Sequence, residues 1–334
     1  MVAHAFFAKL IHQTGALALV LMVMQCSNAL AESHAQLSAP AEKVVIGAYI
    51  NGVHSIDLKA GTVDLDMYLW LRSKGERDLL DSIEIMNGSI SEKSGIEKKK
   101  IGDENYYTMR ISVKVFQNYD LRNFPLDKQQ LTVFIEDSMD AATALQFVPD
   151  EENTKVAKSV ALPGWSVGKA KITVTTNSYD TNYGDLSIGT NSSDFSRASI
   201  YIPIEREGTG YFFKLFGTVF LSAAVAFLAF FIRPDDLDPR FGVGLGGIFA
   251  VVASNVVLSS MLPETHQFSM GEALLLLTMA LIFLSLLESV LALRLWGAGK
   301  QATAQKLDRI TGWLLPIAYI AICALIVNSY QLLN

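Results

Sequence analysis

The residues from Gly242 to Ser260 carry the spacing that could do chemistry. Steps of four and three along this stretch place Gly242, Gly246, Phe249, Ala253, Val256 and Ser260 on one face of a helix. That face is small at one end, apolar in the middle and polar at the other. A helix lining a narrow water path would carry such a gradient, and a ring of Phe249 side chains around an axis would close the path by dewetting. The same small residues equally suit a buried helix that packs closely on its neighbours, so spacing alone leaves both readings standing. Gly is about 1 kcal/mol worse than Ala inside a helix, and Gly242, Gly244, Gly246 and Gly247 crowd together here. Covalent chemistry finds no comparable pattern. The sequence holds no G-x-S-x-G, H-E-x-x-H or P-loop motif. Beyond residue 31 its histidines are His34, His54 and His266, too scattered for a metal cluster.

The face belongs to RFGVGLGGIFAVVASNVVLSSMLP (240–263), an uncharged run between an arginine and a proline. At about 1.5 Å per residue it is long enough to cross a hydrocarbon core of roughly 30 Å. It is one of four apolar runs, at 211–232, 241–262, 271–293 and 310–330. The whole 334-residue chain is 51% hydrophobic and 18% charged, a balance that suits a soluble part joined to a membrane part. Its net charge of −6 gives no basic footprint for nucleic acid. The first connection between runs holds Arg233 and Arg240, and the third holds Arg294, Lys300, Lys306 and Arg309, while 263–271 holds neither lysine nor arginine. The positive-inside tendency therefore puts connections one and three in the cytoplasm and the N-terminal part outside. Residues 1–31 read as a signal peptide, with Lys9, the apolar run GALALVLMVM and the small-x-small site Ala29-Leu30-Ala31; an uncleaved anchor is the other reading.

Residues 32–207 show short alternating segments instead of long apolar runs: 44–50, 62–72, 106–116, 130–137, 165–176 and 196–206. In TVDLDMYLWLR, Val63, Leu65, Met67, Leu69 and Leu71 share one face and Asp64, Asp66, Tyr68, Trp70 and Arg72 the other, the period of a half-buried strand. Turn residues and a long polar run, Asn177 to Asp194, separate the segments. The expected fold is multi-domain: an extracellular antiparallel β-sandwich of the Ig-like kind (32–207), then a four-helix transmembrane bundle (208–334).

Phe124-Pro125-Leu126-Asp127-Lys128-Gln129 resembles the F-P-x-D-x-Q core of the signature loop in pentameric ligand-gated ion channels. The two cysteines that flank this core in many members are Gln117 and Leu131 here, which is similar to the prokaryotic branch. His54-Ser55-Ile56-Asp57 resembles the family's first inter-strand loop, Gly164-Trp165 a strand start, Arg206 with Tyr211 the junction before the first helix, and Leu287-Glu288 a late site in the third. Arg240-x-Gly-x-Gly and Leu262-Pro263 bracket the second helix as in that family. The resemblance implies a homopentamer in a bacterial inner membrane, its sandwich periplasmic, its pore lined by the second helix and permeant ions as its traffic. It implies no enzyme activity and no cofactor. A non-conducting, membrane-anchored periplasmic binding or sensor module is the alternative.

Further residues follow from the resemblance. A small-molecule or ionic ligand is expected between neighbouring sandwiches, where aromatic faces can hold a cation; the candidates are Tyr68, Trp70, Tyr179, Tyr183 and Phe195. Coupling to the membrane is expected through an ion pair between Asp127 and Arg206, with Asp57 as a third member, and through Phe124, Pro125, Pro263 and His266. Asp238, one turn before Gly242, is expected to form a carboxylate ring that favours cations. Glu288 is an acid deep in an apolar run and a functional candidate on that ground.

Overall fold

A computed structural model of the chain describes residues 40–184, 193–264 and 267–332. The signal segment, His34 and His266 lie outside the described residues. Eleven strands among them form two sheets. The larger follows the order β4 (Gly88–Ile101), β5 (Glu104–Phe116), β2 (Thr62–Ser73), β1 (Glu42–Asp57), β7 (Leu145–Pro149), with β8 (Lys155–Val156) also on β1. The smaller follows β10 (Lys171–Tyr179), β11 (Ser193–Arg206), β6 (Lys128–Asp137), β3 (Ile83–Ile85), with β9 (Trp165–Val167) on β11. Pairing is antiparallel throughout except at β1, where the short β7 and β8 run parallel.

Alternation explains the core. Val63, Leu65, Met67, Leu69 and Leu71 of β2 are all buried, and they meet Leu131, Val133 and Ile135 of β6 and Ile200, Ile202 and Ile204 of β11 in one apolar cluster between the sheets. The charged sequence GSISEKSGIEKKKI of β4 folds as an exposed edge strand. Lysines and glutamates on such an edge discourage pairing with another chain.

Four helices follow: α1 (Gly208–Phe227), extended by a 3₁₀ turn at Leu228–Phe231; α2 (Leu237–Met261); α3 (Met270–Gly297); and α4 (Gln301–Gln331). Each is long and apolar enough to cross a membrane. Helix α2 begins earlier than its apolar run because Pro239 sits in the first turn, where a missing N–H costs nothing. Helix α4 begins nine residues before its run, at the polar segment Gln301–Arg309, which a hydropathy reading passes over. At the start of α3, Ser269 and Glu272 form a reciprocal capping box.

Candidate functional site

Helix α2 has one buried face and a broad exposed one that also includes Leu245, Val252 and Val257. Arg240, Gly244, Gly247, Val251 and Leu258 are buried against the other helices. Asp238, Gly242, Gly246, Phe249, Ala253, Val256 and Ser260 are all exposed, within roughly 80° of the helix circumference at about 3.6 residues per turn. Phe249 stands 70% exposed. The glycines divide the same way. A Cβ on Gly247 would sit 3.2 Å from the Ser222 carbonyl oxygen, and one on Gly244 would strike Leu286 at 2.4 Å. Nothing lies within 4 Å of a Cβ built on Gly242 or Gly246. Two glycines thus serve helix packing and two leave an open face.

The foot of α2 is fixed by Arg240, which is fully buried. Its guanidinium donates to the Ile232 carbonyl at 2.6 and 3.0 Å and to Asp308 of α4, and lies 3.9 Å from Glu288 of α3. Thr311 donates to Glu288 at 3.3 Å. Glu288 therefore points into the bundle and does not reach for the inner surface. Asp308 was invisible in sequence, being 68 residues from the arginine it neutralises.

Where sandwich meets helices, Arg206 at the end of β11 donates to Asp127 at 2.8 Å, and both side chains are more than nine-tenths buried. The guanidinium lies over the rings of Trp165 (4.1 Å), Phe124 (5.0 Å) and Tyr211 (5.1 Å). Gln129 donates to the other Asp127 oxygen at 2.8 Å. Asp57 does not join this pair: its carboxylate accepts from the Ala60 amide at 2.8 Å and closes its own turn. It shares only a surface cleft with Arg206 and Ser260. A helix start leaves amides without partners, and here the signature loop supplies them: Met270 N–H donates to the Arg122 carbonyl (2.7 Å) and Gly271 N–H to that of Phe124 (3.2 Å). This docking onto α3 was missed, although S-M-G-E (269–272) carries the capping-box pattern that marks the helix start. The Phe124–Pro125 peptide is cis. Gln117, at a position where a cysteine was absent, closes the loop by exchanging hydrogen bonds with the Thr132 backbone at 2.8 and 3.2 Å. Pro263 directly follows the C-terminal cap of α2.

On the smaller sheet Tyr179 stands edge-on to Tyr183 (5.8 Å) and to Phe195 (5.9 Å). These three expected aromatics do come together. Behind them lies an acid that sequence reading missed. Glu136, 2% exposed, accepts from the Tyr179 hydroxyl at 3.0 Å and from Arg197 at 2.6 Å. Arg197 also donates to the Tyr179 oxygen (2.8 Å) and lies 4.8 Å over the Phe134 ring. Burial first, and Glu136 second, push the Tyr179 phenol above its ordinary pKa. Glu136 escaped notice because alternation in QLTVFIED assigns it to the outer face; the side chains of Tyr179 and Arg197, from strands of the same sheet, then close over it.

Tyr68 and Trp70 lie on the other sheet. Trp70 donates to Asp150 at 3.1 Å and its ring covers Gly47, where a Cβ would come within 2.4 Å, so it is held as packing. Tyr68 is exposed, with the Arg110 guanidinium 6.0 Å from its ring. Arg110 grips Asp66 through two nitrogens and holds that carboxyl below the usual range.

No protein-family model matches the chain. Over 229 residues it is 25% identical to a gamma-aminobutyric acid receptor subunit beta of Lymnaea stagnalis. The match covers 65% of this chain and 42% of the relative, so the chain spans less than half the relative's length. The likeness supports a pentameric Cys-loop receptor-like family. A strand-built N-terminal part followed by four long apolar helices agrees with it.

Proposed function

We propose that the chain is one subunit of a homopentameric, ligand-gated, cation-selective channel of a bacterial inner membrane, with residues 32–207 periplasmic and 208–334 in the membrane. The exposed stripe on α2 carries this reading. Five copies around an axis turn Asp238 into a carboxylate ring at the inner mouth, Gly242 and Gly246 into a wide segment, Phe249 into an apolar gate and Ser260 into a polar outer mouth. Ligand binding between subunits biases the open state by its differential affinity, and the bias passes through the Asp127–Arg206 pair and the signature loop to α3 and α2.

The ligand wall is Tyr179, Tyr183 and Phe195 on one subunit, facing Tyr68 of the next. The relative's name gives its ligand as an amino acid. An amino acid carries an ammonium, which the faces of the exposed Tyr183 and Tyr68 rings can hold, while Glu136 and Arg197 behind the wall neutralise each other. Isothermal titration with gamma-aminobutyric acid and with simple amines tests this: Tyr183→Ala, at an exposed ring, is expected to weaken the heat, and unchanged heat contradicts the wall.

The pore is tested by thiol accessibility in a background carrying Cys26→Ser and Cys323→Ser. A charged thiol reagent is expected to block current through Val256→Cys and to leave Val251→Cys untouched. Equal block, or none at Val256, overturns the assignment of the stripe.

A further inference from the structure

The seam between sandwich and helices holds a cleft that the ligand wall and the pore leave unused. The loop between β1 and β2, the end of β11 and the outer end of α2 enclose about 560 Å³, within the range of small-molecule sites. Arg206 lines the cleft, its side chain more than nine-tenths buried. Among the described residues only its Nε has a hydrogen-bond acceptor, Asp127, and Nη2 is buried with none. The surrounding rings attract the charge of the guanidinium but offer its remaining N–H groups no oxygen. The Tyr211 hydroxyl, on the same wall, meets the Met261 sulfur at 3.8 Å, a weak acceptor. Lys59 and Lys114 are exposed on the cleft and enter no ion pair or hydrogen bond among the described residues.

The under-used groups are all donors. The two acids of the cleft are engaged: Asp57 accepts from the Ala60 amide at 2.8 Å and Asp64 from the Ser55 hydroxyl at 2.6 Å. A cation entering here meets three positive side chains. An anion instead supplies the acceptor that a buried donor lacks and gains charge-assisted hydrogen bonds in doing so. We propose that this cleft binds a small oxyanion, a carboxylate or inorganic phosphate, held by Arg206, Lys59, Lys114 and the Tyr211 hydroxyl. Ile56, Leu58 and Trp165 add an apolar wall that a carboxylate with a short chain can use and phosphate cannot. Ser260 and Met261 of α2 line the same cleft, so the bound oxyanion bridges Arg206 and the outer end of that helix. The site rests on the described fold and requires neither conduction nor the ligand wall.

The test titrates the full chain in detergent micelles with sodium butyrate and with sodium phosphate, ionic strength being held constant with sodium chloride. Isothermal titration and thermal shift read the binding. At least one oxyanion is expected to bind saturably and tighter than chloride; the tighter of the two names the class. Lys59→Gln and Lys114→Gln, at exposed side chains, are each expected to weaken it about fivefold. Tyr211→Phe keeps the ring, loses the donor and is expected to weaken it about threefold. Arg206→Lys keeps the charge beside Asp127, removes the guanidinium fork and is expected to weaken it about tenfold. Where that variant fails to fold, the lysine and tyrosine variants decide. Lys128→Gln, at an exposed lysine that pairs with Glu205 outside the cleft, is expected to change binding by less than about twofold. No saturable binding beyond that of chloride, binding unchanged in Lys59→Gln, Lys114→Gln and Tyr211→Phe, or an equal loss in Lys128→Gln overturns the proposal. No current is measured, so a chain that does not conduct still passes or fails this test on its own.

Discussion

In the proposed channel, Phe249 is the side chain on which closure turns. Phe249→Ala removes the apolar ring and is expected to raise closed-state leak and lower the half-activating ligand concentration; unchanged values of both, in planar bilayers, contradict its role as the gate. Arg206 and Asp127 form a pair almost free of water, and breaking one partner of such a pair costs about 3–5 kcal/mol. Asp127→Asn is therefore expected to lower stability by about that much and to weaken ligand efficacy more than ligand affinity, seen by comparing binding with maximal current. The Asp66 carboxyl is held low chiefly by its hydrogen bond from Arg110. A lowered folded-state value means stability present above the unfolded value of about 3.9 and lost as pH falls through the folded one. The gap in melting temperature between wild type and Arg110→Gln is thus expected to be full at neutral pH and to close in acid. A gap that stays constant down to the acid limit contradicts the pair's contribution.

At the scale of elements, the glycines of α2 give a paired prediction. Gly246→Ala meets open space and is expected to stabilise the helix by about 0.5–1 kcal/mol, while Gly247→Val meets the Ser222 carbonyl and Ala226 and is expected to destabilise by about 1–3 kcal/mol. Denaturation in detergent distinguishes them, and equal effects contradict the division of the helix into a packed and an open face. That division was legible in the sequence because helical period sorts residues without knowledge of the neighbours. Strand β2 was legible for the same reason, its five alternating apolar residues all being buried. Strand β4 was not, since an edge strand needs no apolar face and its lysines read as loop. The segment 165–176 read as one strand and is interrupted between β9 and β10, which follow one another along β11 with a one-residue shift of register (Val167 opposite Ile204, Lys171 opposite Tyr201) where Gly168 packs against Pro203. Glu136 and Asp308 were hidden because each is buried by residues distant in sequence, Arg197 and Arg240, and no local period reports such a partner.

At the scale of the whole molecule, the sandwich core and the outer of two helical cores meet at one seam. The sandwich core ends where Arg206 enters the aromatic box, and Phe124 of the signature loop belongs already to the helical core with Phe216, Leu258 and Met270. A movement of the loop therefore displaces residues packed on α2 as well as α3. In the proposed channel, ligand binding far from the membrane acts on a gate through these packed side chains, and the path is the exposed stripe of α2. The most direct measurement is the reversal potential of purified protein in a planar bilayer under a salt gradient, for wild type, Asp238→Ala and Asp238→Lys. The account predicts a wild-type current reversing near the cation equilibrium potential, a smaller displacement in Asp238→Ala, and a shift toward the anion potential in Asp238→Lys. A wild-type chain that passes no current, an anion-selective wild type, or a potential indifferent to both substitutions contradicts it.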